Sequence, residues 1–132
     1  MNETRLSDYL DPIRQAATDA CDFVAGLDKD DFLADKRTQQ AVIMSLIIIG
    51  EAATKMMDRY AGFIQAHPEV PWRGMRGMRN RIAHGYFEIN LDVVWETVQT
   101  ALPELLRQLP VVRENAGGDD RNDPASGLAR TQ

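Results

Sequence analysis

Leu6, Leu10, Ile13, Ala17, Ala20, Val24 and Leu27 recur at alternating steps of three and four. That spacing is the buried stripe of an amphipathic helix. Ser7 or Asp8 stands where a cap belongs, Pro12 falls early enough to be tolerated, and Gly26 marks a stop. Asp28 to Asp35 reads as a polar connection anchored by Phe32 and Leu33. A second helix is predicted from about Lys36 to Tyr60. Its middle, AVIMSLIII, is apolar on almost every face, the pattern of a helix buried on all sides. Ala61 to Val70 contains Gly62, His67 and Pro68, so a loop is expected, with His67 on its surface. Pro71 suits the start of a third helix that Gly85 ends. Asn90 is an N-cap for a last helix with Leu91, Val94, Val98, Leu102, Leu105 and Leu109 on its apolar face. Trp95 is expected in the core, and Pro103 predicts a kink or a break into two helices.

No stretch of useful length alternates as a strand does. The expected fold is therefore all-α, a four-to-five-helix up-and-down bundle, with one helical domain over residues 1–112. From Arg113 the chain reads RENAGGDDRNDPASGLARTQ, which predicts a flexible tail over residues 113–132. The apolar run from Ala41 to Ile49 is too short for a membrane span and is interrupted by Ser45, so a core helix is expected. A chain this small rarely buries one helix completely by itself. A homodimer interface along the second helix accounts for the excess, and a central place in the bundle is the competing reading.

The polar start MNETRLSDYLD has no signal-peptide character, and the single cysteine, Cys21, fits a reducing compartment. A cytoplasmic protein is expected. Cys21 falls on an apolar helix face and is read as a core residue. The acids of Asp28 to Asp35 lack the glycine and terminal glutamate of a calcium loop. With no cysteine cluster and no second histidine near His67, no metal site is expected. No Gly-rich phosphate loop is present, and no cofactor is expected.

Charge changes this picture at one place. Val70 to Phe87 holds four arginines (Arg73, Arg76, Arg79 and Arg81) and no acid, so the remainder carries −9 against −5 overall. Such a segregated positive segment points to an anionic ligand. Within it lies Arg79-Asn80-Arg81-Ile82-Ala83-His84-Gly85-Tyr86. Arginine grips phosphate oxygens in a planar fork, and histidine exchanges protons near neutral pH. The two suffice for transfer of an RNA 2′-hydroxyl onto its own 3′ phosphate, with histidine as acid or base and arginine on the developing charge. Arg79 and His84 are five residues apart, about 140° around an ideal helix. A straight helix does not aim both at one point. A turn freed by Gly85, or a two-fold dimer that joins two motifs in one cleft, resolves this. Glu51, just past the apolar run, is either exposed or paired with a cation such as Arg79.

The string RNRIAHGY, with WRGMRGM before it and FEINLDVVWETV after it, resembles the motif region of HEPN-domain proteins, the HepT-like group in particular. Arg79, Asn80, His84 and Tyr86 match the group's R-N-x-x-x-H-x-Y pattern without a gap. IGEAA (Ile49 to Ala53), FLADKRTQQAV (Phe32 to Val42), Pro71-Trp72 and Trp95 are also similar, and the resemblance runs from about Leu6 to Leu109. It implies a metal-independent endoribonuclease, homodimeric, the toxin of a type II-like toxin–antitoxin pair. Arg79 and His84 would be catalytic, and Asn80, Arg76 and Arg81 would place the RNA backbone. Glu51 would orient Arg79. It further implies a cognate nucleotidyltransferase antitoxin, MntA-like, that transfers AMP to the motif tyrosine, here Tyr86. The alternative is a non-catalytic subunit of a nucleotidyltransferase complex that binds a nucleotide or the partner at the same residues.

Overall fold

The computed structural model describes residues 5–85 and 88–121. Among these residues the secondary structure is helical, with no strand. The helices are α1 (Leu6–Phe23), α2 (Lys29–Leu33), α3 (Lys36–Arg59), α4 (Ala61–Ala66), α5 (Trp72–His84), α6 (Leu91–Glu96) and α7 (Leu102–Arg121). A π-helical turn, Thr97–Ala101, joins α6 to α7 without a break.

The α1 stripe is buried as its spacing requires, from Leu6 through Leu10, Ile13 and Ala17 to Ala20. Asp8 accepts from the Arg5 N–H at 2.9 Å and so covers one donor of the helix start. Pro12 sits on the exposed side of α1. Gly26 takes φ +83°, which an L side chain resists, and turns the chain out of the helix.

The Asp28–Asp35 connection holds a short helix of its own, α2. Asp28 accepts from Asp31 N at 2.8 Å, and Asp31 accepts from Asp28 N at 3.1 Å. This reciprocal cap starts the turn. Phe32 anchors it, fully buried and 5.3 Å from the Trp95 ring centroid. Leu33 does not, being exposed. Trp95 is therefore a packing residue.

Asp35 caps α3, accepting from Thr38 N at 3.1 Å and from the Thr38 hydroxyl at 2.6 Å. α3 packs against α1 on one side and α5 on another, while α1 also meets α7. By length and composition α3 could cross a membrane, but this packing makes it the central helix of the bundle. Its burial is incomplete. Val42, Leu46, Ile49 and Ala53 are in the core, yet Met44 is 55% exposed and Ile48 41%. The expectation of a helix buried on every side fails within one copy, because α1 and α5 do not cover the face carrying Met44 and Ile48.

The stretch expected as loop, 61–70, contains α4, pinned by buried Phe63. His67 is not on the surface but 7% exposed. Its Nδ1 lies 3.1 Å from Glu69, and Asn115 of α7 donates to its Nε2 at 3.3 Å. Its ring lies 4.6 Å from that of Phe63, and its carbonyl accepts from the Trp72 indole at 2.9 Å. Sequence spacing could not show that these partners converge on it.

Pro103 does not break the last helix in two. It cannot donate an N–H, and its ring crowds the carbonyl of the preceding turn. The π turn at Thr97–Ala101 lies immediately before it and takes up the disturbance. The boundary expected at residue 112 falls inside α7, which continues to Arg121. Val112 and Ala116 prolong the apolar face, and Arg113 bridges to Asp11 of α1 at 3.0 Å. Residues 122–132 of the expected tail lie outside the described residues.

Candidate active site

α5 carries the motif. Trp72, Met75 and Ile82 face the core, so the arginines are turned to the helix flanks. Arg73, Asn80, Arg81 and His84 are exposed, while Arg76 and Arg79 are half-buried.

Arg79 is fixed against α3. The backbone of α3 comes close there because Gly50 has no side chain. A Cβ on Gly50 would collide with the Arg79 Cβ and would lie 2.7 Å from the Met75 carbonyl. Through this gap the Arg79 guanidinium reaches two α3 side chains. Its Nη1 donates to Glu51 Oε2 at 2.6 Å, and its Nη2 donates to the Thr54 hydroxyl at 3.3 Å. Glu51 is therefore paired, one of the two outcomes that its position left open. The Arg79 side chain retains 21% exposure and Glu51 49%. The Arg79 Nε is buried without an acceptor. Thr54 did not emerge from the sequence. The available signal was its spacing, three residues beyond Glu51 and thus on the same flank of α3.

His84 lies on another flank. It borders a cavity of about 490 Å³ between the end of α5 and the start of α6. Met78, Ile82, Val93 and Val94 supply its apolar lining, and Arg81 and Glu88 stand with His84 at its edge. Arg79 does not line this cavity among the described residues. The structure therefore brings Arg79, Glu51 and Thr54 together, and separately His84 with Arg81. Within one copy it does not gather Arg79 and His84 into one pocket, as their angular separation predicted. Gly85 caps α5, its N–H bonding to the Arg81 carbonyl at 2.9 Å. Tyr86 lies outside the described residues.

Cys21 is half-buried, with its Sγ 4.0 Å from the Val98 carbonyl. Burial pushes its thiol pKa up, and Asp22 adds to this, so the thiol is poorly suited to act as a nucleophile. Among the described residues no three His, Cys, Asp or Glu side chains group as a metal site.

A helical bundle that exposes an Arg-Asn-x-x-x-His segment on a positively charged helix defines the class as a HEPN-like helical protein. The sequence model of the family described as Ribonuclease HepT-like matches residues 13–112. The chain belongs to this family. It is 36% identical over 114 residues to a provisionally named RNase of Methanocaldococcus jannaschii, covering 86% of this chain and 92% of that one. It is 39% identical over 107 residues to a provisionally named ribonuclease HepT of Thermococcus cleftensis, covering 81% and 94%. A further relative, from Caldanaerobacter subterraneus subsp. tengcongensis and also provisionally named an RNase, is 36% identical over 101 residues, covering 76% and 88%. No solved structure matches the chain.

Proposed function

We propose that this protein is a metal-independent endoribonuclease of the cytoplasm, acting as a homodimer and as the toxin of a toxin–antitoxin pair. The observation that carries the reading is the complete motif of Arg79, Asn80, His84 and Tyr86 in a chain of the HepT-like ribonuclease family. The arginine is held in place by α3, and the histidine is exposed at a cavity edge.

In this reaction His84 removes the proton of a ribose 2′-hydroxyl. The 2′-oxygen attacks the adjacent phosphorus, and the bond from phosphorus to the 5′-oxygen breaks. The products are a 2′,3′-cyclic phosphate and a 5′-hydroxyl. A second His84, from the partner copy, gives a proton to the leaving oxygen. Arg79 stabilises the charge that builds on the phosphoryl oxygens. Asn80, Arg76 and Arg81 hold the flanking backbone. Glu51 keeps Arg79 oriented and takes no proton.

The exposed face of α3 supports a two-fold composite cleft. Met44 and Ile48 stand one turn apart on it, and Glu51 follows three residues later on the same flank. An interface through this face would run directly to the residue that holds Arg79. It would also cover the apolar side chains that one copy leaves in water.

Control would come from a nucleotidyltransferase antitoxin. The Tyr86 phenol oxygen attacks the α-phosphorus of ATP in the partner's active site, and pyrophosphate leaves. The AMP so attached adds a bulky anion close in sequence to the arginines that RNA needs.

The test is RNA cleavage in excess chelator by the wild type, R79A and H84A, on an all-ribose oligonucleotide and on its 2′-deoxy counterpart. The expected result is cleavage of the ribose strand only, with a cyclic phosphate product, lost in both variants. In parallel, the mass of the protein made with its partner should rise by whole AMP units, absent in Y86F. RNA that binds through Arg79 but is never cut would instead make the chain a binding subunit.

A further inference from the structure

We propose that Thr54 is a second positioning residue for Arg79 and that, with Glu51, it leaves the guanidinium one N–H on each terminal nitrogen for a phosphate. This rests on the ribonuclease reading above. The Thr54 hydroxyl has a single proton, and it donates that proton to the Gly50 carbonyl at 2.8 Å. Its lone pairs are then what it offers to Arg79, whose Nη2 lies 3.3 Å away. Glu51 accepts from Nη1 at 2.6 Å. The two acceptors stand on one flank of α3, on opposite terminal nitrogens of one planar group. Together they fix its rotation as well as its position, which neither does alone.

Arginine has five N–H donors, two on each terminal nitrogen and one on Nε. Among the described residues, one donor on Nη1 goes to Glu51 and one on Nη2 to Thr54. Nε is buried with no acceptor and is out of reach of a ligand. One N–H on Nη1 and one on Nη2 remain. Each can donate to an oxygen of a phosphodiester, a charge-assisted hydrogen bond. The cradle therefore selects which donors of the guanidinium meet the substrate. Gly50 serves it twice, as the gap through which Arg79 reaches α3 and as the acceptor that sets the Thr54 hydroxyl.

The test compares Thr54→Val, which keeps the shape and loses the hydroxyl, with Thr54→Ser, which keeps the hydroxyl. Both are placed in a double-mutant cycle with Arg79→Lys. T54V should lower kcat on RNA about tenfold, because a misaimed group near the reacting atoms loses rate steeply. T54S should restore it to within about twofold. T54V should cost nothing further once Arg79 is lysine, and its thermal midpoint should stay at the wild-type value. Equal kcat in T54V and wild type, or losses that simply multiply in the T54V/R79K protein, would overturn the proposal while leaving the ribonuclease reading intact. A wild type that cuts no RNA would sink the ribonuclease reading. Fluorescence anisotropy with a 2′-deoxy oligonucleotide then decides on Thr54. Binding weakened in T54V and restored in T54S supports the cradle, and unchanged binding overturns it.

Discussion

Gly50 and Arg79 touch so closely that no side chain fits between α3 and the base of the arginine. This contact sets the distance between the helix that carries the acceptors and the helix that carries the motif. Gly50→Ala must push α5 outward, since one clash is with the Met75 backbone carbonyl at 2.7 Å and cannot be relieved by a rotamer change. The expected cost is about 1–3 kcal/mol of stability, as for other overpacked core positions. RNA cleavage should fall more than the folded fraction does. Urea unfolding and initial rates on the same samples check this. Gly62→Ala, whose added Cβ would meet nothing within 4 Å, is the control.

Glu51 is half-exposed, so its ion pair contributes modestly to stability. Glu51→Gln should change the unfolding free energy by less than about 1 kcal/mol. Its effect on kcat should be larger than its effect on KM, since the guanidinium loses its strongest anchor but not its charge. Steady-state kinetics on a short RNA separates the two. A rise in KM alone would mean that Glu51 does not orient Arg79 for the chemical step.

Met44 and Ile48 are the exposed apolar pair on α3. Met44→Asp with Ile48→Asp should leave the helical spectrum intact, because neither side chain is in the core of one copy. Sedimentation is expected to report a dimer for the wild type and a monomer for the variant, with RNA cleavage lost in the variant. A wild type that already sediments as a monomer would remove the dimeric site from the mechanism.

His67 is a stability residue remote from the motif. It joins the stretch before α5 to Asn115 on α7 and packs on Phe63. His67→Ala should cost about 2 kcal/mol, in the range for losing a buried, hydrogen-bonded group. The cleavage rate per folded molecule should stay unchanged. Chemical unfolding and active-site-normalised rates check both halves.

Acid should act through the α3 cap. The Thr38 hydroxyl and N–H hold the Asp35 carboxyl below the usual carboxylate range. A lowered folded pKa stabilises the fold above the unfolded value, about 3.9, and that stabilisation is lost as pH falls through the folded one. Asp35→Ala should therefore melt below the wild type at pH 7, with the gap narrowing as the pH drops below about 3.9. Circular dichroism melts across that range measure it. A gap that persists unchanged in acid would show that the charge of the cap contributes nothing.

The hydrophobic pattern alone was enough for the long helices of this chain, but not for the short α2 and α4, which lie in stretches that read as connection and loop. The three-four spacing of Leu6 to Ala20 and of Val94 to Leu109 can be satisfied only by a buried helical stripe, and both stripes are buried. The motif residues were legible for a different reason, the segregation of charge. Four arginines without a neighbouring acid stand out in any acidic chain, and their resemblance to one family is local in sequence.

Contacts across the bundle were decided only by the packing of one helix on another. The segment around Arg79 has no acid in sequence, yet its key arginine meets Glu51, 28 residues away. Thr54 gained its place because Gly50 lets α5 approach, a distance that no periodicity encodes. His67 looked like a loop residue until Phe63, Glu69 and Asn115 closed around it. The two faces of α3 read alike in sequence, and only the positions of α1 and α5 left Met44 and Ile48 in water. Local pattern reports what a residue must bury or expose. Which partner it meets depends on where other elements come to rest, and that is a property of the folded chain.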